Sequence, residues 1–150
     1  MLGLGSTGPA TRPSLHATES LALKFQPDTH SGVNMIARHD AGRIVVGANA
    51  YTHSVIVPWD GEVLDWEPAS FVDLQAAHFE RLLALEPELV VFGSGSLLRF
   101  APAAMLRALI ERRIGVESMD TAAACRTYNV LVSERRSVVA ALLIDFPAAR

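Results

Sequence analysis

Leu89-Val90-Val91-Phe92-Gly93-Ser94-Gly95-Ser96, read together with Val116-Glu117-Ser118-Met119-Asp120-Thr121, carries the argument for the fold. A short apolar run bounded by small residues suits a buried strand. Gly93 to Ser96 then breaks it, because glycine accepts backbone conformations that side chains disfavour. Pro102 fits the first turn of a helix, where a missing N–H costs nothing. The spacing of Leu106, Leu109 and Ile110 predicts that they face inward on a helix over 102–113. Gly115 is placed to end that helix as a left-handed cap. Val116 to Met119 is the next short strand. A strand, a helix and a second strand make a βαβ unit, whose strands run parallel.

Toward the carboxyl end, Asp120 or Thr121 is placed to cap a helix with Ala124, Tyr128 and Leu131 on one face. Val138 to Ile144 is an unbroken apolar run, the pattern of a strand covered on both sides. The last sixty residues therefore predict a βαβαβ unit. Toward the amino end, Gln75 to Leu85 sets Ala76, Phe79, Leu82 and Leu83 on one helical face, and Pro87 ends that helix. Further back, β-branched runs at Arg43–Gly47 and Ser54–Pro58 suit pleated surfaces. Val33 to His39 and Leu21 to Phe25 are weaker strand candidates. Asp40-Ala41-Gly42 reads as a turn. Asp60-Gly61, ahead of Glu62 to Trp66, is a hairpin signal. The first half thus reads as antiparallel β structure, and the fold class as α/β.

Length and composition narrow the possible functions. A chain of 150 residues favours one domain. The expectation is a disordered tail over 1–19, a single domain over 20–146 and a short tail over 147–150. The net charge is −3. Residues 1–75 hold four Lys/Arg against eight Asp/Glu, and residues 76–150 nine against eight. Neither half offers the basic field of a nucleic-acid binder. Arg107, Arg112 and Arg113 fall toward the end of a predicted helix, where cations complement its dipole. No apolar run approaches the ~20 residues of a membrane span. The segment from Met1 to Ser20 lacks the basic start and apolar block of a signal peptide. It is poor in acids, as organelle transit peptides are, but Arg12 alone is too little basic character. The single cysteine, Cys125, excludes an intrachain disulfide and suits a reducing, cytoplasmic setting.

Ligands of open α/β sheets sit beyond the carboxyl ends of parallel strands. Here that edge carries Gly93, Ser94, Gly95 and Ser96, with Asp120 and Thr121 on the neighbouring strand. These six are the candidate ligand-binding residues. Small residues between a strand and a helix leave amide N–H groups able to meet an anion. The alternative is a tight turn that lets strand and helix pack closely. A dinucleotide fingerprint lacks its third glycine near Leu98, and a phosphate loop lacks Gly-Lys-Ser/Thr, the nearest cation being Arg99. Neither Ser94 nor Ser96 sits in Gly-x-Ser-x-Gly. Asp120 and Thr121 read equally as helix caps. Cys125 lies one turn into its helix, where a reactive thiolate is conceivable, but the surrounding alanines suit a buried, inert thiol. His16, His30, His39, His53 and His78 are scattered and predict no metal site. Tyr128 and Asn129 suit packing and hydrogen bonding near the end of their helix. Trp59 and Trp66 flank the hairpin, as a cross-strand pair or as an exposed contact patch. No complete catalytic constellation and no cofactor site emerge.

Leu89 to Gly95, Gly115 to Thr121 and Ala122-Ala123-Ala124-Cys125-Arg126-Thr127-Tyr128-Asn129-Val130-Leu131 together resemble one family. It is the small α/β family of unknown function that includes mitochondrial complex I assembly factor 3. Tyr51, Ser54 to Val57 and Asp60-Gly61 match its first half, so the resemblance covers about residues 20–145. It implies a three-layer arrangement around a mixed central sheet, without an established activity or cofactor. The implied function is a non-enzymatic assembly factor with a protein partner. The alternative is a small-molecule or anion-binding domain using residues 93–96 with Asp120 and Thr121. Members of the family often have glycine where this chain has Arg135. If that position needs positive φ, the turn here is expected to be built differently.

Overall fold

The computed structural model describes residues 32–40 and 42–145. The expected tails over 1–19 and 147–150 and the strand over 21–25 lie outside the described residues. Strands β1 (Ile36–Asp40), β2 (Arg43–Val46) and β3 (Asn49–Tyr51) form an antiparallel sheet in that order. A five-stranded sheet contains β4 (Val55–Pro58), β5 (Leu64–Asp65), β6 (Leu89–Gly93), β7 (Gly115–Met119) and β8 (Val138–Leu142), ordered β5-β4-β8-β6-β7. The α-helices among the described residues are α1 (Ala76–Glu80), α2 (Arg107–Glu111) and α3 (Thr121–Ser133); the helix expected over Gln75 to Leu85 is α-helical only to Glu80 and continues as a 3₁₀ helix over Arg81–Leu85. The expected antiparallel first half is present but divided, since β4 and β5 join the larger sheet. β3 is only three residues long, too short to leave a pattern in the sequence.

The central strands β4, β8 and β6 of the five-stranded sheet are covered on both faces. Side chains alternate along a strand, so neighbours in sequence reach opposite faces. Val55, Val57, Val91, Ala140 and Leu142 pack with Ala124, Cys125 and Tyr128 of α3. Ile56, Val90, Phe92, Val139 and Ala141 pack with Phe79, Leu82 and Leu109 on the other side. This is the three-layer α/β arrangement, and it explains the unbroken apolar reading of β8. The β1–β2–β3 sheet adds Ile36, Ile44 and Val46 to the α3 side. Asn129 fixes that attachment: Oδ1 accepts from the Ile36 amide and Nδ2 donates to the Ile36 carbonyl, both at 2.9 Å.

Several local expectations need correction. The Asp60-Gly61 hairpin exists, but β4 meets β5 only at Val55–Asp65 and Ile56–Leu64. Asn34 Nδ2 inserts beside the loop, donating to Pro58 O at 2.8 Å and Gly61 O at 2.7 Å. Trp59 and Trp66 are not a cross-strand pair. Trp66 is buried edge-on against Phe79 and Phe92, and its indole donates to His78 O at 3.1 Å. Ile110 is 54% exposed rather than inward-facing. Residues Ala103–Leu106 wind as a 3₁₀ turn before α2, and three residues per turn shifts the phase of an α-helical pattern.

The helix stops also differ from expectation. Gly115 begins β7, and Arg113 takes the left-handed position instead, at φ 62°. Its amide donates to Ile110 O, and the Ile114 amide to Leu109 O, both at 2.9 Å. The end of α3 repeats the device. Arg135, at φ 65°, donates to Val132 O, and Arg136 donates to Leu131 O. The turn after Glu134 is therefore the ordinary left-handed helix stop, with arginine where glycine is preferred.

Candidate functional site

β6 pairs in parallel with both β7 and β8, and the registers end level: Gly93 lies opposite Met119 on one side and Leu142 on the other. Whatever follows these three strands must share one rim. The segments that follow are Ser94–Ser96, Asp120–Thr121 and Leu143–Asp145, and they are stitched together. The Ser94 amide donates to Met119 O at 2.8 Å and the Thr121 amide to Gly95 O at 2.9 Å. Thr121 Oγ1 accepts from the Gly95 amide at 2.8 Å and donates to Leu143 O at 2.7 Å.

A cleft of about 320 Å³ opens at this rim. Gly95, Ser96, Asp120 and Thr121 line it, with His39, Arg43, Ile44 and Asp145 among the others. Four of the six sequence-nominated residues thus share one cavity. Gly93 and Ser94 sit behind it. A Cβ on Gly93 would stand 3.0 Å from Thr121 Cα, so this glycine permits the close approach of α3 to the strand. Ser94 is fully buried: Oγ lies 2.6 Å from Leu97 O and accepts from the Arg99 amide at 3.0 Å.

The loop's donors are largely committed. The Gly95 amide meets Thr121, and the Ser96 amide donates to Asp145 Oδ1 at 3.1 Å. A carboxylate of the chain itself occupies the place an anion would take on Ser96. Gly95, at φ 102°, leaves no room for a side chain beside that carboxylate. Asp120 caps α3, its Oδ1 accepting from the Ala123 amide at 2.8 Å. Such a cap contributes about 1 kcal/mol.

Sequence reasoning missed His39, Arg43 and Asp145. Asp145 was within reach, since it follows a third strand ending at the same rim. His39 and Arg43 come from the separate antiparallel sheet, and nothing in the sequence announces that they meet this edge. Arg43 is held by Asp40, Nη2 to Oδ2 at 3.2 Å. No group of three or more His, Cys, Asp or Glu suited to a metal occurs among the described residues. His78 accepts from the Gln75 amide at 2.9 Å, and His53 lies 3.5 Å from Asp65.

Cys125 is buried against the sheet, and burial pushes its thiol up to about 12. Tyr128 is likewise raised by burial, its hydroxyl 2.9 Å from both Asn34 O and Pro58 O. A thiol raised from about 9 to about 12 carries on the order of a thousandfold less thiolate at neutral pH. Iodoacetamide should therefore label native Cys125 at least a hundredfold more slowly than the urea-unfolded chain. Equal rates would restore the reactive-thiol reading.

Residues 36–143 match the family described as "Protein of unknown function (DUF498/DUF598)". This chain belongs to the DUF498/DUF598 family. Among relatives of the family member described here is NADH dehydrogenase [ubiquinone] 1 alpha subcomplex assembly factor 3 of Bos taurus, 35% identical over 104 residues. That match covers 68% of this chain and 55% of the relative, so the chain spans about half the assembly factor's length. The "13 kDa major membrane protein" of Francisella tularensis is 27% identical over 99 residues, covering 65% of this chain and 80% of that one. A crystal structure of a Bordetella parapertussis protein superposes with a TM-score of 0.73 at 32% identity, covering 77% of this chain and 99% of the other. No helix of the described residues is long and apolar enough to cross a membrane.

Proposed function

We propose that this chain is a protein-binding factor that assists the assembly of a larger complex, without catalysis of its own. The observation that carries the reading is an apolar surface beside the glycine loop. Leu97, Leu98 and Phe100 are 59%, 53% and 70% exposed, and Val72 is 85% exposed. Arg99 stands over the Phe71 ring, 5.4 Å from its centroid, which brings segment 71–72 next to the loop. Grouped exposed side chains of this kind mark interaction sites, whereas isolated ones do not.

The loop is also held in place. Ser94 Oγ ties it at Leu97 and Arg99, and Ala101 is buried at its far end. A fixed surface loses little freedom on binding, which favours affinity. The assembly-factor relatives support the same reading. The buried, protonated thiol is compatible with a reducing, cytoplasmic setting.

A Leu97→Ser/Phe100→Ser double variant tests this. The wild-type chain, tagged and expressed at native level, should co-purify with a stoichiometric partner. The variant, with unchanged thermal stability, should lose it. Retention of the same partner by the variant, or elution of the wild type alone, overturns the proposal.

A second reading places a small ligand in the 320 Å³ cleft at Gly95, Ser96, Asp120 and Thr121. The cleft's volume falls in the range of small-molecule sites, about 300–1,000 Å³. The committed amides of Gly95 and Ser96 weigh against an anion there. Thermal-shift measurements with phosphate and nucleotides address it: saturable binding at a hundredfold excess over Kd stabilises by about 2.7 kcal/mol. Unchanged melting throughout removes the anion form of this reading.

A further inference from the structure

A second and larger hollow, about 500 Å³, lies at the far end of α3, away from the rim. Its lining is two-sided. Val33, Met35, Trp59 and Val132 make an apolar floor, while Ser133, Arg135 and Arg136 make a polar, cationic edge. Met35 is 41% exposed, although the strand it precedes is packed on the core.

The two arginines differ. Arg136 is partly committed, its Nε 3.1 Å from Glu88 Oε1. Glu88 also accepts from the Ser137 amide at 2.7 Å. That backbone bond, with the Arg136 guanidinium second, holds the Glu88 carboxyl below its ordinary range. Arg135 makes no side-chain hydrogen bond or ion pair among the described residues. Its backbone is left-handed, at φ 65°, a conformation that glycine adopts without steric cost.

Two opposing effects bear on an anion here. A helix carboxyl end repels negative charge. In α3, however, three of the last four carbonyls are already occupied: Val130 O by Glu134 and Ser133 Oγ, Leu131 O by Glu134 and Arg136, and Val132 O by Arg135. Glu134, exposed on the same turn, adds some repulsion. Against these stand the exposed guanidinium of Arg135, without a partner among the described residues, and the shared guanidinium of Arg136, both bordering an apolar floor. Charge-assisted bonds from arginine to a carboxylate are among the stronger polar contacts available.

We propose that this hollow binds a small amphiphile with an apolar body and one carboxylate head. The body would lie on Trp59, Met35 and Val132, and the head would meet Arg135. The inference stands apart from the apolar loop at 97–100 and does not depend on it.

Octanoate, below its micelle threshold, is the probe, and octan-1-ol is the control of equal body without the charge. Binding is followed by NMR on the full chain. Octanoate should produce saturable shifts at the Trp59 indole N–H and the Met35 methyl, with the buried Trp66 indole unmoved. Octan-1-ol should bind about tenfold or more weakly, the loss expected for one charge-assisted bond. The Arg135→Gly variant separates binding from structure, because glycine suits the left-handed turn. It should melt at an equal or higher temperature yet bind octanoate about tenfold more weakly. No saturable octanoate shift, equal affinity for the alcohol, or undiminished binding by folded Arg135→Gly would each overturn the proposal.

Discussion

Thr121→Val should cost about 3 kcal/mol of stability in urea unfolding, while Thr121→Ser should cost about 1 kcal/mol. Valine has nearly the shape of threonine without the hydroxyl, and serine keeps the hydroxyl without the methyl, so the pair isolates the hydroxyl. Thr121 is 4% exposed, and its Oγ1 serves two backbone groups at once: it accepts from the Gly95 amide and donates to Leu143 O. Valine strands both. An unsatisfied buried group costs about 1–3 kcal/mol. Serine keeps both bonds and loses only a buried methyl group, about 1 kcal/mol. Because this hydroxyl joins the segments after β6 and β8 to the start of α3, the loss should also loosen the cleft. Faster hydrogen exchange at the Gly95 amide would report that directly. A valine variant within 1 kcal/mol of wild type would show that the hydroxyl is not what fastens this rim.

Phe92→Ala should cost about 3–5 kcal/mol, the range for truncating a fully buried aromatic. Phe92 lies at the centre of the aromatic packing on the α1–α2 face. Its ring centroid is 5.4 Å from Phe79, 6.2 Å from Trp66 and 6.5 Å from Phe71, and its side chain is fully buried. Edge-on aromatic pairs add about 0.5–1.5 kcal/mol beyond the area they bury. The cross-strand neighbour on β8 is Ala141, too small to fill the space left behind. Phe92→Leu should cost markedly less. The effect should reach the proposed interaction surface, since Phe71 packs on Phe92 and Arg99 on Phe71. If the surface binds a partner as proposed, a partially destabilised Phe92→Leu chain should bind it more weakly without any change at Leu97 or Phe100. Unfolding midpoints for Phe92→Ala and wild type that coincide would contradict the core described here.

The legibility of this chain followed the range of the forces involved. β6, β7, β8 and α3 could be read because each has a local cause. An unbroken β-branched run has to be covered on both faces, and aspartate ahead of a helix supplies an acceptor for its first amides. Boundaries were less legible where a single residue absorbed strain. Arg113 and Arg135 occupy left-handed positions that composition assigns to glycine, because completing the helix-end bonds outweighs the local cost. Ile110 turns outward against its helical spacing because a 3₁₀ turn upstream alters the phase of the helix. The rim site was legible in its strand-end residues and illegible in His39 and Arg43, which approach it from another sheet.

By itself the sequence determined the class of fold, the parallel βαβ unit and the shared edge of residues 93–96 and 120–121. These follow from periodicity, turn chemistry and the geometry of a crossover, all of them set within a few residues or one connection. Only the tertiary structure decided how that edge is bonded. There the Ser96 amide already holds Asp145, 49 positions away, and Thr121 fastens Gly95 to Leu143. Bonds between segments so far apart in the chain leave no local pattern, because each partner is chosen by where packing places it and not by its neighbours in sequence.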